Sequence, residues 1–480
     1  MHSKYGLLVL NSKNVQKLKQ LLTSAATSLS SRLYIRLNPD QPRTDELVSK
    51  IYLNSANSCP KLDVRLLVSD IPGKIENYTA IGEEKPEKIE KIEKKYKKVV
   101  LGGTFDRLHN GHKVLLNKAA ELASDDIVIG VTDKEMILKK SLFEMIEPVE
   151  FRIKKVVEFV EDISDGAKCL AEPITDPFGP STRIKDLEAI VVSRETIKGA
   201  DAVNKKRNEQ GMTQLDIIIV ELIEGSDEIL NETKISSSSK RREDLGVLLR
   251  PVRRVPRETD RPYIIGLAGG IASGKSHSGK YLKEKHGFDV IDCDKLAHTC
   301  YEKGSSLNRK IGEHFGSDIL IDGIVDRKKL GSIVFSDKSK LRELSELVWP
   351  EVKSKAAEIV EKSTAKVVGK IKKKNVTVSD HFIISNVKFI TVIEAAALIE
   401  AGWHKSLAET WTVFVPAEEA VRRVVERDNL TKEQAIDRMS SQITNKERID
   451  SSNLVLCSLW KYEETRAQVD RAVNDLMKRI

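Results

Sequence analysis

Apolar residues in this chain gather into short runs separated by longer mixed stretches, and the runs set the expected framework. Gly6–Leu10 and Leu33–Leu37 read as buried strands around a helical stretch, and Val64–Val68 adds another before a turn at Pro72-Gly73. The pattern repeats at Lys98–Leu101, Ile127–Val131, Ala189–Val192 and Leu215–Leu222. Helical stretches lie between these runs, which is the alternation of a parallel α/β sheet. Ile235–Ser239 then leads into a helix. A third series opens with Tyr263–Leu267, includes Asp289–Asp294 as a strand ending in two acids, and closes in a helical, highly charged stretch from Ala417 to Ile480.

Two segments break the alternation. Glu83–Lys98 is a near-continuous mix of Glu and Lys, expected to be a solvated linker or a short exposed helix. Residues 243–262 carry Pro251, Pro256 and Pro262 among several arginines, so proline and like-charge repulsion predict a second, extended linker. The expected organisation is α/β in three units: 1–82 with no assignable chemistry, a charged linker at 83–97, a parallel-sheet domain at 98–242, the Arg/Pro linker at 243–262, and a second parallel-sheet domain at 263–480. At 480 residues the chain is too long for one ordinary core.

Composition narrows the function classes. The 80 basic and 72 acidic residues leave a formal charge of +8, which suits anionic small ligands. Aromatic content of 5% and dispersed charge argue against an RNA-processing nucleotidyltransferase, and no nucleic-acid partner is expected. Cys59, Cys169, Cys293, Cys300 and Cys457 show no C-x-x-C spacing, which points to a reducing, cytoplasmic setting without disulfides or a zinc site. No apolar run approaches the ~20 residues a membrane helix needs. The N-terminus has two readings. No acid precedes Asp40 while six lysines and arginines do, a composition like a mitochondrial transit peptide, so mitochondrial association is the alternative localisation. The strand–helix–strand pattern favours a folded unit instead.

Candidate chemistry sits just after two of the strands. The run Gly102-Gly103-Thr104-Phe105-Asp106-Arg107-Leu108-His109-Asn110-Gly111-His112 is a strand-to-helix turn. Glycine lets backbone approach a ligand, and His109 and His112, three apart, share one face near the positive end of a helix. Imidazoles and free N–H groups there can bind triphosphate oxygens and stabilise charge in a phosphoryl-type transition state. The second device, Gly269-Gly270-Ile271-Ala272-Ser273-Gly274-Lys275-Ser276, fits G-x-x-x-x-G-K-[ST] between a strand and a helix. Its backbone would cradle the β-phosphate, Lys275 would reach the γ-phosphate, and the Ser276 hydroxyl would ligate Mg²⁺. Asp292 and Asp294 could accept a substrate proton or hold metal-bound water, with Asp294 alternatively an N-cap. A non-catalytic nucleotide sensor would tolerate the loss of His112, Lys275 or Asp294, yet all three are present.

The first motif resembles the signature of the HxGH nucleotidylyltransferase superfamily. Thr132-Asp133-Lys134, Pro148–Arg152, Asp176–Pro180, Val191–Thr196 and Ile235–Ser239 extend the likeness to eukaryotic-type phosphopantetheine adenylyltransferase. That resemblance implies direct attack of the 4′-phosphopantetheine phosphate on the α-phosphorus of ATP, giving dephospho-coenzyme A and pyrophosphate. It implies that Gly103, Thr104, Phe105, Arg152, Ser236, Ser237 and Ser238 bind nucleotide or substrate, and that both His109 and His112 serve catalysis. It also implies that a basic residue among Lys134, Lys139 and Lys140 holds the pantetheine phosphate, with Lys140 favoured.

The P-loop region, with Ile291–His298, Phe315-Gly316, Asp322–Arg327, Trp349-Pro350, Glu400–Trp403, Arg427-Asp428, Arg438 and Gln442, resembles dephospho-coenzyme A kinase. This implies Asp294 as general base on a ribose 3′-hydroxyl, Asp292 as support for Mg²⁺ or substrate, and Arg427 and Arg438 as lid residues touching ATP. Together the resemblances follow the domain order of bifunctional coenzyme A synthases, and residues 1–82 look like the N-terminal region of the animal members. ATP at two sites and Mg²⁺ are the implied co-substrate and ion. Two departures stand out. Val368–Ile390 looks inserted before the strand at Thr391–Glu394, so an impaired kinase half is the alternative reading. The Asn usual near the kinase family's C-terminal strand is replaced around Leu454–Ser458.

Overall fold

The computed structural model describes residues 2–70, 77–87, 93–221, 237–253, 262–335, 337–372 and 390–480. By its contacts the chain divides into two compact units, Met1–Arg242 and Glu243–Ile480.

The first unit holds two parallel sheets. In the smaller, β1 (Ser3–Leu10), β2 (Leu29–Leu37), β3 (Asp63–Leu66) and β4 (Thr79–Ile81) lie in the order β3-β2-β1-β4. Helix α1 (Leu18–Ser28) joins β1 to β2, and α2 (Asp45–Ser58) joins β2 to β3. The N-terminus is therefore a folded β-α-β element, because the Leu/Val runs of β1 and β2 bury against one another. In the larger sheet, β5 (Tyr96–Gly103), β6 (Ala123–Thr132), β7 (Lys168–Ile174), β8 (Ala189–Ser193) and β9 (Asp216–Val220) take the order β7-β6-β5-β8-β9. All its pairs are parallel. The chain turns back on opposite sides of β5, so a crevice opens beyond its carboxyl end. Helix α3 (Asn110–Leu122) starts there.

Residues 1–82, expected to stand as a unit of their own, share a core with the larger sheet. Leu8, Leu33, Ile51 and Tyr52 belong to the same buried cluster as Val99, Leu101, Val114 and Phe159. The charged segment at 83–97 is likewise tied down where it is described: Asn38 holds the carbonyl of Lys85 and the N–H of Glu87, and the Arg36 guanidinium donates to the Glu87 carbonyl.

The second unit has one five-stranded parallel sheet of β10 (Tyr263–Gly269), β11 (Asp289–Asp292), β14 (Ile390–Glu394), β15 (Glu409–Phe414) and β16 (Leu454–Cys457), in the order β11-β14-β10-β15-β16. A small hairpin, β12 (Leu320–Ile321) and β13 (Ile324–Val325), lies between β11 and β14 in sequence. Apolar clusters cover the sheet, one around Val352 and Leu398 and another around Trp411 and Leu456. The stretch from Ala417 onward, expected to be helical, is interrupted by β16 before its last helix, Tyr462–Arg479. Part of the expected extended linker packs on this unit. Leu245 is buried, Leu248 bridges to Leu454, and Arg250 donates to the Ile449 and Ser452 carbonyls at 2.7 and 2.9 Å. These contacts outweigh repulsion among the arginines. Of the atypical stretch 368–390, residues 373–389 lie outside the described residues; the helix Lys338–Lys372 and strand β14 flank them.

Candidate active sites

At the carboxyl end of β5 the chain leaves the sheet through a tight turn in which Phe105 and Arg107 take positive φ values of 50° and 48°. Asp106, fully buried, fixes that turn. Its carboxylate accepts from the Glu147 N–H at 3.0 Å and pairs with Arg107 and with the buried Arg241 of the helix Ser237–Glu243. The turn delivers the chain to His109, the N-cap residue of α3, with His112 one turn later. The two imidazoles stack, ring centroids 3.8 Å apart, and the Phe105 ring lies 5.1 Å from that of His112.

A cleft of about 660 Å³ opens over this turn. Gly103, Thr104, His109, His112, Lys140, Ser237 and Ser238 all line it, so the structure brings these expected residues together. Of the three candidate lysines only Lys140 is on the wall. Burial pulls its ammonium below the ordinary value, with Arg241 adding repulsion. Burial also depresses both histidines. His109 is lowered to about 4, and His112, further opposed by His109 and Lys140, falls well below the usual imidazole range. Both rings are therefore neutral near pH 7, not the cations a phosphate site first suggests. His112 Nδ1 lies 3.5 Å from the His109 N–H, which favours the tautomer with hydrogen on Nε2. His109 Nδ1 is buried without a partner.

Two expected ligand-binding residues are placed elsewhere. Phe105 is buried, its ring packed against Gly103 and His112 rather than on the cleft wall. Arg152 is fully buried and donates to the carbonyls of Thr104, Thr132 and Glu147 at 2.7, 2.9 and 2.7 Å, which makes it a brace under the turn. Ser236 lies outside the described residues. Ser237 Oγ donates to the Asp106 carbonyl at 3.0 Å, and Ser238 Oγ accepts from Arg241 at 3.1 Å. The Asp106–Arg241 pair, which locks the serine helix to the histidine turn, joins residues 135 apart, beyond any local pattern.

In the second unit β10 runs into the P-loop, where Ala272 and Gly274 adopt positive φ of 58° and 87° before the helix Lys275–His286. A side chain at Gly269 would meet Ser273 Oγ at 2.6 Å and the Val413 carbonyl at 2.7 Å, so the loop requires glycine there. Lys275 is 7% exposed, and its Nζ bonds Asp294 Oδ2 at 2.8 Å and Glu394 Oε1 at 3.0 Å. Burial works against the Lys275 charge, but these carboxylates outweigh it and hold the ammonium above its ordinary value. Ser276 Oγ donates to Glu394 Oε1 at 2.6 Å. The Ile271 N–H is bonded by Gln442 at 3.0 Å.

Glu394 received no role from the sequence. It closes the apolar run of β14 between β11 and β10 and is the register partner of Asp292, so three carboxylates meet at the P-loop. The capping expectation is reversed. β11 ends at Asp292, whose side chain caps the helix Cys293–Cys300 by accepting from the Lys295 N–H at 3.0 Å. Asp294 lies in the first turn of that helix, accepting from Lys275 and from the Ala396 N–H at 3.1 Å. Burial opposes the Asp292 charge, yet hydrogen bonds from Lys295 hold its carboxyl below the usual range. Arg427 and Arg438 both bond Asp428. Arg423, which the sequence did not single out, reaches the P-loop: it donates to the Ala272 carbonyl at 3.2 Å and to Ser458 Oγ and O at 2.8 and 2.7 Å.

These two sites define a class: a transferase with a nucleotidylyltransferase-type turn at the switch point of one parallel sheet and a P-loop phosphotransfer site on another. A cytidylyltransferase-like family model matches residues 100–243, and the dephospho-CoA kinase family model matches 263–373 and 375–459, parting at Lys374. The chain is 45% identical over 161 residues to a phosphopantetheine adenylyltransferase of Pyrococcus furiosus, covering 34% of this chain and 97% of that one. It is 36% identical over 209 residues to a dephospho-CoA kinase of Fusobacterium nucleatum, covering 43% of this chain and 95% of the relative. A solved dephospho-CoA kinase from Campylobacter jejuni aligns with 45% of this chain and 98% of its own at 23% identity, with a TM-score of 0.31. The chain belongs to the phosphopantetheine adenylyltransferases through its first unit and to the dephospho-CoA kinases through its second. Among the described residues no helix is long and apolar enough to cross a membrane.

Proposed function

We propose that this chain performs the last two steps of coenzyme A synthesis in succession, using ATP twice. In the first, a phosphate oxygen of 4′-phosphopantetheine attacks the α-phosphorus of ATP, the bond to the β-phosphate bridging oxygen breaks, and pyrophosphate leaves with dephospho-coenzyme A formed. The convergence of Thr104, Lys140 and His112 on one cleft supports this reading. Lys140 and the Thr104 hydroxyl hold the pantetheine phosphate. Neutral His112 donates from Nε2 to the α-phosphate oxygen on which charge develops, since an uncharged donor in a buried site needs no reorganisation when that charge appears. Ser237 and Ser238 face the remaining phosphates. No side-chain nucleophile takes part.

In the second step the ribose 3′-oxygen of dephospho-coenzyme A attacks the γ-phosphorus, its proton passes to Asp294, and ADP leaves. Lys275 exchanges Asp294 for phosphate oxygens as ATP enters and keeps Glu394, which frees Asp294 to act as base. Against the two cations Lys275 and Lys295, the three carboxylates Asp292, Asp294 and Glu394 leave local negative charge, and Ser276 and Glu394 offer adjacent hard oxygens. These features fit Mg²⁺, which binds through one or two carboxylates and substrate phosphates. Ser276 and Glu394 would hold it; when bound, it neutralises charge on the transferring phosphate.

The carrying observation is the pair of unlike phosphate turns on separate parallel sheets, each with its own cation and hydrogen-bond donors. Incubation with ATP, Mg²⁺ and 4′-phosphopantetheine, followed by mass analysis, is expected to show dephospho-coenzyme A, pyrophosphate and then coenzyme A. Absence of pyrophosphate overturns the first assignment. Dephospho-coenzyme A accumulating without coenzyme A overturns the second.

A further inference from the structure

Neither family match reaches residues 1–82, yet their helix α2 reaches the adenylyl-transfer cleft. Ser49, Tyr52 and Leu53, at spacings of three and four that share a helical face, line it together with Thr104 and His112. Ser49 Oγ donates to the Glu221 carbonyl at 3.2 Å, tying α2 to the end of β9.

The same N-terminal segment grips the helix that carries the histidines. Asn110, Lys113, Asn117 and Glu121 form one polar face of α3. Asn110 Nδ2 donates to the Tyr52 carbonyl at 2.7 Å, and Lys113 Nζ donates to Asp63 Oδ1 at 2.6 Å and to the Val64 carbonyl at 3.0 Å. Asn117 Nδ2 donates to Tyr52 Oη at 2.8 Å, and its carbonyl oxygen accepts from Arg43, which also pairs with Glu121 at 3.5 Å. Asn117 is fully buried and Lys113 is 6% exposed, so these polar groups are committed to their partners rather than to water. Such buried, directional bonds permit one register only.

We propose that α2 is a working wall of the adenylyl-transfer cleft, with Leu53 as a specificity-determining residue against the uncharged part of a reactant. The proposal rests on the adenylyltransferase reading above and gives the N-terminal unit its role. The residues that α2 presents carry no charge, while the cations Lys140 and Arg241 and the two imidazoles of the cleft come from other elements. Ala200 and Val203 of the helix Ile197–Glu209 also line the cleft, and they are apolar as well. An uncharged surface of this kind suits a purine ring or an amide chain better than a phosphate.

The test uses the full chain carrying Leu53→Trp or Leu53→Ala. Pyrophosphate release is measured with ATP varied at fixed 4′-phosphopantetheine, and the reverse. Leu53 is half-buried, so both variants are expected to fold, with phosphorylation of supplied dephospho-coenzyme A as the internal control. L53W is expected to raise one of the two KM values at least tenfold while kcat stays within threefold, and L53A to raise the same KM by a smaller factor. The KM that moves identifies the reactant. Both KM values within twofold of wild type overturn the proposal, as does a fall in kcat alone. If L53W fails to fold, L53A decides by the same criterion. If wild type releases no pyrophosphate, the activity reading falls separately. Equilibrium titration with ATP and 4′-phosphopantetheine then judges the wall, and unchanged or undetectable binding of both overturns it.

Discussion

Replacing Glu394 by Gln removes one negative charge from the P-loop site while keeping the shape of the side chain. Glu394 accepts from Lys275 at 3.0 Å and from Ser276 at 2.6 Å, and it is 3% exposed as a residue. A hydrogen bond to a charged group contributes about 1.5–3 kcal/mol. A neutral acceptor retains roughly half of that, so two such bonds lose about 1.5–3 kcal/mol in all. If the carboxylate positions Lys275 and Ser276 during transfer, the loss enters the barrier. At about 1.4 kcal/mol per decade it lowers kcat for 3′-phosphorylation by roughly 10- to 150-fold. The same bonds exist in the ATP-free fold, so stability falls by at most the same amount, limited because Lys275 keeps Asp294 as a counter-ion. The assay is coenzyme A formation from supplied dephospho-coenzyme A and Mg²⁺-ATP, with adenylyl transfer by the same preparation as the control. A kcat within threefold of wild type, in a protein whose adenylyl transfer is normal, would refute the reasoning. So would a fall in both activities, which would mark Glu394 as structural only.

Three further outcomes follow from the same geometry. His112→Ala should lower adenylyl transfer by about 10²–10³-fold, the usual effect of losing one preorganised donor, while 3′-phosphorylation and the melting temperature hold; normal dephospho-coenzyme A production by the variant would reject the role given to His112. Asp294→Asn should cost roughly 10²–10⁴ in 3′-phosphorylation, the range for a general base, and a variant with full rate would sink that assignment. His109, lowered from 6.5 to about 4, stays neutral in the fold while an unfolded imidazole takes up a proton as pH falls below 6.5. The fold is therefore unpenalised above pH 6.5 and loses stability on acidification, fully below about pH 4, by about 3 kcal/mol at 1.36 kcal/mol per pH unit. Denaturant unfolding at pH 7 and pH 4 should show a smaller acid loss for His109→Gln than for wild type, and equal losses would contradict the burial argument.

What could be read from the sequence were the local devices. The strands β1, β5, β6, β8 and β10 are compact Val/Ile/Leu runs, and both phosphate turns are contiguous strings whose glycines and charges occur at fixed offsets. β7 escaped notice because Lys168–Ile174 is an edge strand whose apolar run is broken by Lys168, Glu172 and Pro173, which an edge tolerates. The choice between Asp292 and Asp294 turned on where β11 stops, since a strand ending two residues earlier converts one acid into a cap and swings the other toward Lys275. Arg423 and Arg427 share a helix and lie one turn apart, and only the packing of that helix on the P-loop selects Arg423.

The partners of Glu394 and α2 lie far away in the chain, which is why neither received a role from its own segment. β14 inserts between β10 and β11 although 120 residues lie between Gly269 and Ile390, and α2 meets α3 across the intervening β3, β4 and β5. In a parallel sheet all carboxyl ends face one crevice whatever the order in which the strands are made. An acidic residue that closes an apolar run is therefore a site candidate before its neighbours are known. Asp292 and Glu394 both satisfy that rule, and register pairing makes them adjacent. The rule needs only the residue where each run stops. It cannot extend to α2, whose contribution to the cleft comes from the side of a helix rather than from the end of a strand.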